Sequence, residues 1–283
     1  MAGVSTKAIR SRIKSMENTR QITKAMEMVA ASRMIKAEER IISTRPYFKT
    51  MYETLLDIAV NNDELDSVYL VPREVKKSCF IVIAGDRGLA GGYNSSVLKL
   101  AYSRMEGREV SVLPIGKKAV EFFRARGVEI VTEEYAEAAS VSISDCFTMA
   151  RVVAELFSSG ACDTVTLVYT KFISILSQTA GTLELLPLIP EKTGRRANRD
   201  SLIIYEPDSV EVFKAIIPEY LGGLIYGALA ESVASELGAR RTAMDNVTKN
   251  ADDMIADLNL KYNRARQGAI TQEITEIVSG SAG

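Results

Sequence analysis

Leu237–Gln272, LGARRTAMDNVTKNADDMIADLNLKYNRARQGAITQ, decides the fold. Leu237, Arg241, Met244, Thr248, Ala251, Ile255, Leu258, Tyr262, Ala265, Ala269 and Gln272 follow each other at alternating spacings of four and three. Eight of these eleven are apolar or aromatic. A seven-residue period of this kind predicts a coiled-coil seam with a left-handed supercoil. Many seam residues are small, so a partner backbone can approach closely. Upstream, Asp208 or Ser209 can cap the start, which predicts one helix over 208–280. Its most apolar stretch, Tyr220–Leu229, carries Gly222 and Gly223 and is expected to pack on the rest of the molecule. Glycines there weaken the helix or admit another backbone.

The partner strand of the coil is predicted at the other end of the chain. Residues 1–60 read as helix: Ser5 or Thr6 can cap it, and no glycine falls between Gly3 and Gly85. Apolar residues recur at helical spacing, as Ile9, Ile13 and Met16, then Ile22, Met26 and Val29, then Met34, Ile35, Ile41 and Ile42, then Phe48, Met51, Tyr52 and Leu55. Pro46 is expected to kink or interrupt this helix. Residues 1–49 carry eleven Lys/Arg against four Asp/Glu, a local positive charge in a chain of net charge −1.

Between the helices the pattern changes. Residues 61–77 read as a linker. Over 78–200 strands alternate with helices, which predicts a doubly wound, mostly parallel α/β sheet domain. Strands are expected at 78–85, 109–115, 128–131 and 163–169, with 172–189 extended. Helices are expected after the glycine-rich loop to about Arg104, over 117–126, and over 142–158 with Ser142 or Ser144 as cap. Glu191–Asp200 reads as a loop. The fold class is thus α/β plus a long antiparallel coiled coil. At 1.5 Å per residue the C-terminal helix would span about 105 Å and the N-terminal one roughly 80 Å. A compact chain of this length is roughly 50 Å across, so the helices are expected to project from the sheet domain.

Composition narrows the function. Hydrophobic residues make up 47% and charged residues 25%, as in ordinary soluble proteins. The near-zero net charge implies no strong field toward nucleic acid. No run of 18 apolar residues is present and the N-terminus does not read as a secretory signal, so membrane insertion is not expected. Histidine is absent, which removes the commonest general base and metal ligand. Cys79, Cys146 and Cys162 fit neither a disulfide framework nor a zinc site, and a reducing cytoplasm is the simplest context. No catalytic residue, cofactor or metal site is predicted. The loop Gly85–Asn94, GDRGLAGGYN, follows a strand and precedes a helix, where phosphate can bind. It matches neither the Walker A pattern nor GxGxxG, and Asp86 would repel an anion. Tight turn geometry from Gly88, Gly91 and Gly92, beside Asp86 and Arg87, is the structural reading.

Three groups of residues carry a family resemblance. Ile9–Ile13 (IRSRI) with Asn18-Thr19 and Ile22–Ser32 (ITKAMEMVAAS), the loop Asp86–Asn94 (DRGLAGGYN), and Ala265–Gln267 with Ile270–Gly280 (ITQEITEIVSG) lie in the order found in γ subunits of F-type ATP synthases, which the chain resembles over essentially its whole length. Ala90 stands where many members have cysteine, and the cysteine pair of the plastid form is absent. The resemblance implies a non-catalytic central shaft that carries torque between an ion-driven membrane ring and the catalytic subunits. It implies α and β subunits around the shaft, ε and the c-ring at its foot, and a peripheral place on the cytoplasmic side of the bacterial inner membrane. It further implies partner contacts at Lys24, Met26, Arg33, Arg240, Gln267, Thr271 and Glu273. The competing readings are a nucleotide-dependent α/β enzyme and a static scaffold, each with a coiled-coil arm.

Overall fold

The computed structural model describes residues 6–61, 67–188, 206 and 208–281. Ser5 and the loop Glu191–Asp200 lie outside the described residues. The elements are α1 (Thr6–Asn61), β1 (Lys77–Ile83), α2 (Tyr93–Met105), β2 (Glu109–Ile115), α3 (Lys117–Arg124), β3 (Glu129–Ile130), a 3-10 turn (Ala138–Ser140), α4 (Ile143–Ser158), β4 (Thr164–Ser174), β5 (Ser177–Leu186) and α5 (Ser209–Ser281). By internal contacts the chain divides into two compact units, 1–32 with 240–283, and 33–239.

The larger unit holds a five-stranded sheet of order β3-β2-β1-β4-β5. The first four strands of that order are parallel, and β5 returns antiparallel along β4. The extended stretch expected at 172–189 is therefore the last three residues of β4 and its hairpin partner β5. Alternate residues of β1 face opposite sides and all are buried: Cys79, Ile81 and Ile83 one way, Phe80 and Val82 the other. Helices α2 and α3 cover the second face through Val97, Leu98, Ala101, Ala119 and Phe123. The first face is covered by α4, by Leu55 and Ile58 of α1, and by Phe213, Ile217, Leu221 and Ile225 of α5. Of the two caps open at α4, Ser142 is used, in a capping box with Asp145. Asp208 Oδ1 accepts from Glu211 N at 2.8 Å and caps α5.

The interruption expected at Pro46 is absent, since α1 runs through it as helix. A proline inside a helix costs about 3 kcal/mol. Burial of a side chain such as Leu55 or Ile58 returns about 1.5–3 kcal/mol each, and both are almost fully buried downstream. Upstream, Ala37 and Ile41 pack on Ala230 and Ala234 of α5, so the helix is held on both sides of the proline.

One glycine is fixed by geometry that the sequence did not signal. Gly116, with φ +95, ends β2 where a Cβ would lie 2.1 Å from the Ala84 carbonyl oxygen. The segment before β1 is fixed too. Tyr69 stacks on Phe157 at 6.0 Å, and Arg73 Nη1 donates to the Phe157 carbonyl at 2.9 Å. The Lys76 and Lys77 amides donate to Asp163, which holds that carboxyl below its usual range.

One 18-residue window of α5 is apolar enough to match a membrane span by length and composition, but half of it is buried inside the molecule. The Phe213–Leu229 stretch of α5 contributes core residues packed with the sheet and α4.

The smaller unit is an antiparallel helix pair from the first part of α1 and the last part of α5. From Met244 onward, the residues of α5 shielded from solvent are Met244, Asp245, Thr248, Ala251, Ile255, Leu258, Tyr262 and Ala265. All but Asp245 lie on the predicted seam. Thr23 and Thr248 share a buried hydroxyl hydrogen bond of 2.7 Å, and Arg20 pairs with Asp252 at 3.2 Å. The two contacts mark one register; each hydroxyl also reaches a carbonyl of its own helix, Arg20 at 3.2 Å and Met244 at 2.8 Å. Ala269 and Gln272 are exposed, contrary to the repeat read from sequence. The register places Thr6 level with about Arg266, so the described part of α1 ends there while α5 continues to Ser281.

Candidate functional site

In a doubly wound sheet, ligands bind outside the carboxyl ends of the strands where strand order reverses. Here that point lies between β1 and β4, and the glycine-rich loop leaves β1 beside it. The place is already filled by the molecule itself. Glu236 of α5 presses on Gly85, where a Cβ would lie 2.9 Å from the carboxylate. Ser232 and Ser235, both fully buried, bond the backbone of Thr170 on β4.

The loop is closed from within. Asn94 Oδ1 accepts from Gly85 N at 2.8 Å, and Asn94 Nδ2 donates to the Arg87 carbonyl at 3.1 Å. The residues in left-handed backbone are Leu89 and Gly91. Gly88 has open space around it and Gly92 only ordinary contacts, so the tight geometry expected of three glycines rests on Gly91 alone. Asp86 does more than repel an anion. Its carboxylate accepts from the amides of Ala138, Ala139 and Lys117, at 2.8, 3.1 and 3.3 Å. It thereby occupies donors at the start of α3 and of the 3-10 turn that a phosphate would need. Lys117 Nζ pairs with Glu137 at 2.7 Å, and this bond holds the ammonium above and the carboxyl below their ordinary values. Asp86→Ala is expected to lower stability by about 1–2 kcal/mol through three orphaned amides. Chemical denaturation of the isolated chain measures this, and an unchanged midpoint would refute the capping role.

The residues singled out by resemblance do not converge on one cluster. Lys24 is exposed and pairs with Glu27 at 3.0 Å. Met26 is half-buried beside the seam, and Arg240 is half-buried on α5. Arg33 is exposed and belongs to the larger unit. Gln267, Thr271 and Glu273 are exposed beyond the last seam residue, with Thr271 Oγ1 bonded to the Gln267 carbonyl of its own helix at 2.9 Å. Within the helix pair, two groups therefore lie about 30 Å apart along the axis. Each sits beside an apolar face that the site residues named from sequence left out. Ile22, Met28 and Val29 are exposed near Lys24, and Ile270, Ile274, Ile277 and Val278 near Thr271. The spacing of the latter, four, three and one, is a helical stripe. The signal was present in the sequence, but the seam rule assigns such a stripe no direction.

Chemistry has little to work with. Burial pushes the thiols of Cys79 and Cys146 up to about 12 and that of Cys162 to about 11, so none is a ready nucleophile. Among the described residues no group of three or more His, Cys, Asp or Glu is placed to hold a metal.

Comparison with known proteins agrees with this architecture. The family described as ATP synthase matches residues 5–283. The ATP synthase gamma chain of Alkaliphilus metalliredigens is 44% identical over 99% of this chain and 98% of its own. The sodium-ion-specific ATP synthase gamma chain of Acetobacterium woodii is 39% identical over 96% of each. A chain of the Tetrahymena thermophila mitochondrial ATP synthase central stalk and c-ring structure superposes with a TM-score of 0.60. It is 26% identical and covers 80% of this chain and 98% of that one. An antiparallel helix pair, a self-filled switch point and full-length relatives lead to one assignment: the chain belongs to the ATP synthase gamma chain family.

Proposed function

We propose that the chain is the central rotor shaft of an ATP synthase, without catalytic activity of its own. The observation that carries this reading is the exposed end of α5. The seam stops at Ala265, yet the helix continues to Ser281 with Ile270, Ile274, Ile277 and Val278 outward. An exposed apolar helix end suits a sleeve formed by other subunits. The α and β subunits supply that sleeve, and Gln267, Thr271 and Glu273 turn within it. Lys24, Met26, Arg33 and Arg240 face the moving parts of the β subunits. An asymmetric shaft touches each β subunit differently at any angle, which biases each catalytic site to its own conformation. The ε subunit and the c-ring join at the foot, and the complex sits on the cytoplasmic face of the bacterial inner membrane. The functional boundaries we assign are the helices 1–60 and 208–280, the linker 61–77 and the α/β domain 78–200.

A fluorophore on Lys99→Cys, an exposed position of α2, tests the reading in the assembled complex with its α and β subunits immobilised. ATP is expected to drive unidirectional rotation of the label. A label that stays fixed during turnover would instead support a static scaffold, and ATP or NAD binding by the isolated chain would support an enzyme.

A further inference from the structure

Strand β4 outruns its neighbour. Its pairing with β1 ends at Val82 opposite Val168, while β4 continues to Ser174. Past that point the edge once facing β1 would expose the backbone groups of Thr170 and Phe172. Helix α5 takes the place of the missing strand with side chains. Ser232 Oγ accepts from Thr170 N at 3.3 Å, Ser235 Oγ donates to the Thr170 carbonyl at 3.2 Å, and Glu231 Oε2 accepts from Phe172 N at 3.4 Å. The hairpin tip then closes on the helix at Gly238, where a Cβ would lie 3.1 Å from Gln178 Nε2 and 3.3 Å from the Ile175 carbonyl. Gln178 is itself fixed by donating to that carbonyl at 2.6 Å.

We infer that this row, Glu231, Ser232 and Ser235 on the open edge of β4, is the torsional joint that keeps α5 from turning relative to the sheet. The inference rests on the rotor reading. The alternative grip is apolar packing, which is non-directional. Phe213, Ile217, Leu221 and Ile225 seat α5 on the sheet upstream of the row, and beside the row Ala37, Ile41, Ala230 and Ala234 form a cluster of mostly small residues edged by Phe172, Val233 and Leu237. Hydrogen bonds to a fixed backbone are directional and lost within a small rotation. Ser232 and Ser235 are fully buried, so water cannot replace the lost partners. Torque entering at the sheet thus reaches the helix through these serines as positioning residues.

The test is Ser232→Ala with Ser235→Ala in the assembled complex, carrying the Lys99→Cys label. During a single ATP-waiting dwell, the angular variance of the label is expected to widen about twofold as the directional bonds are lost. Ions pumped per ATP against an opposing gradient are expected to fall at least about threefold, with unloaded hydrolysis unchanged. A general loss of stability would not widen the dwell angle selectively. Thr170→Val serves as control: the Thr170 hydroxyl is buried without a hydrogen-bond partner, so its removal takes nothing from the joint and should leave the variance unchanged. If the double variant does not assemble, Ser235→Ala alone is measured and should widen the variance to a smaller degree. Parental variance and pumping in an assembled serine variant would overturn the joint. Ala251→Pro separates the two ideas: should that variant also pump normally, the rotor reading itself falls.

Discussion

Ala251→Pro is expected to cut ion-driven ATP synthesis at least about tenfold while the assembled α and β subunits still hydrolyse ATP. Ala251 lies in the middle of the seam and is 3% exposed. Proline there removes the amide that bonds the Val247 carbonyl and drives its ring into that carbonyl, at a cost of about 3 kcal/mol or more. Unlike Pro46, this site lies in the middle of the helix pair, where the buried residues of α5 are those of the seam itself. In the smaller unit, α5 from Arg240 to about Ala265 pairs with the first part of α1. Asp252, the next residue, makes the ion pair to Arg20, and Thr248 one turn back makes the hydroxyl pair to Thr23. A break between them releases both register contacts together. Ala251→Gly costs about 1 kcal/mol and keeps the amide, so it should retain most of the coupling. Synthesis and hydrolysis rates in reconstituted vesicles decide the matter. Parental synthesis in the proline variant would show that a continuous α5 is not needed for coupling.

The two helices were not equally legible. In α5 the seam read from sequence matches the shielded residues as far as Ala265. It fails at Ala269 and Gln272 because a repeat records compatibility with a partner, and the register gives these residues none. In α1 the bulky residues after Met16 divide: Met34, Ile41 and Leu55 are buried as the pattern implied, but others of the same pattern are not. Ile22, Val29, Ile35 and Ile42 are all more than half exposed, while Thr23, Ala30, Ala37 and Ile41 are buried. The buried positions follow the seam and the exposed ones lie one residue to its side, about 100° around the helix. Hydropathy ranks isoleucine above threonine and alanine, so a helix serving two partners hides its intramolecular face behind the intermolecular one. The mostly parallel character of the sheet followed from alternation of strands and helices, whereas its strand order came only with the structure. The close approach at Gly116 did not, because its partner Ala84 lies in another strand exit and nothing local in the sequence announces it.

The motif that looked most chemical shows the same limit. A strand, a glycine-rich turn and a helix are the parts of a phosphate site, and the sequence places them in that order. What decides against such a site is three-dimensional. Asp86 takes amides from two segments 31 to 53 residues away, and Glu236, on the last helix, presses on Gly85. An α/β nucleotide fold keeps its switch point open for a ligand, whereas here α5 closes it. The helix that would have to leave to admit a nucleotide is the helix the proposed shaft is made of.

Gly222→Ala is expected to loosen the packing of α5 on the sheet domain at a large cost in stability. Gly222 of α5 faces α4, where an added Cβ would lie 2.3 Å from Phe147 Cδ1, 2.9 Å from Cε1 and 3.0 Å from the Phe147 Cα. The ring is only half-buried and can swing aside. The Cα cannot, unless α4 moves as a body, and α4 is held by Cys146, Met149, Ala150, Val153 and Phe157 in the same core. Overpacking that shifts backbone costs about 1–3 kcal/mol, or more when a whole helix must move. Helix propensity works the other way, since alanine is better than glycine by about 1 kcal/mol. The net expectation is a loss of about 1–2 kcal/mol, read from thermal and denaturant unfolding of the isolated chain. The double variant Gly222→Ala with Phe147→Ala separates ring from backbone. It should recover part of the loss relative to the two single variants, because the ring contacts vanish and the 3.0 Å approach to Cα remains. Full recovery would mean that the helices are spaced by the phenylalanine ring alone. A stabilised single variant would mean that α4 and α5 do not pack this closely, and with that the anchoring of α5 on the sheet unit would need another source.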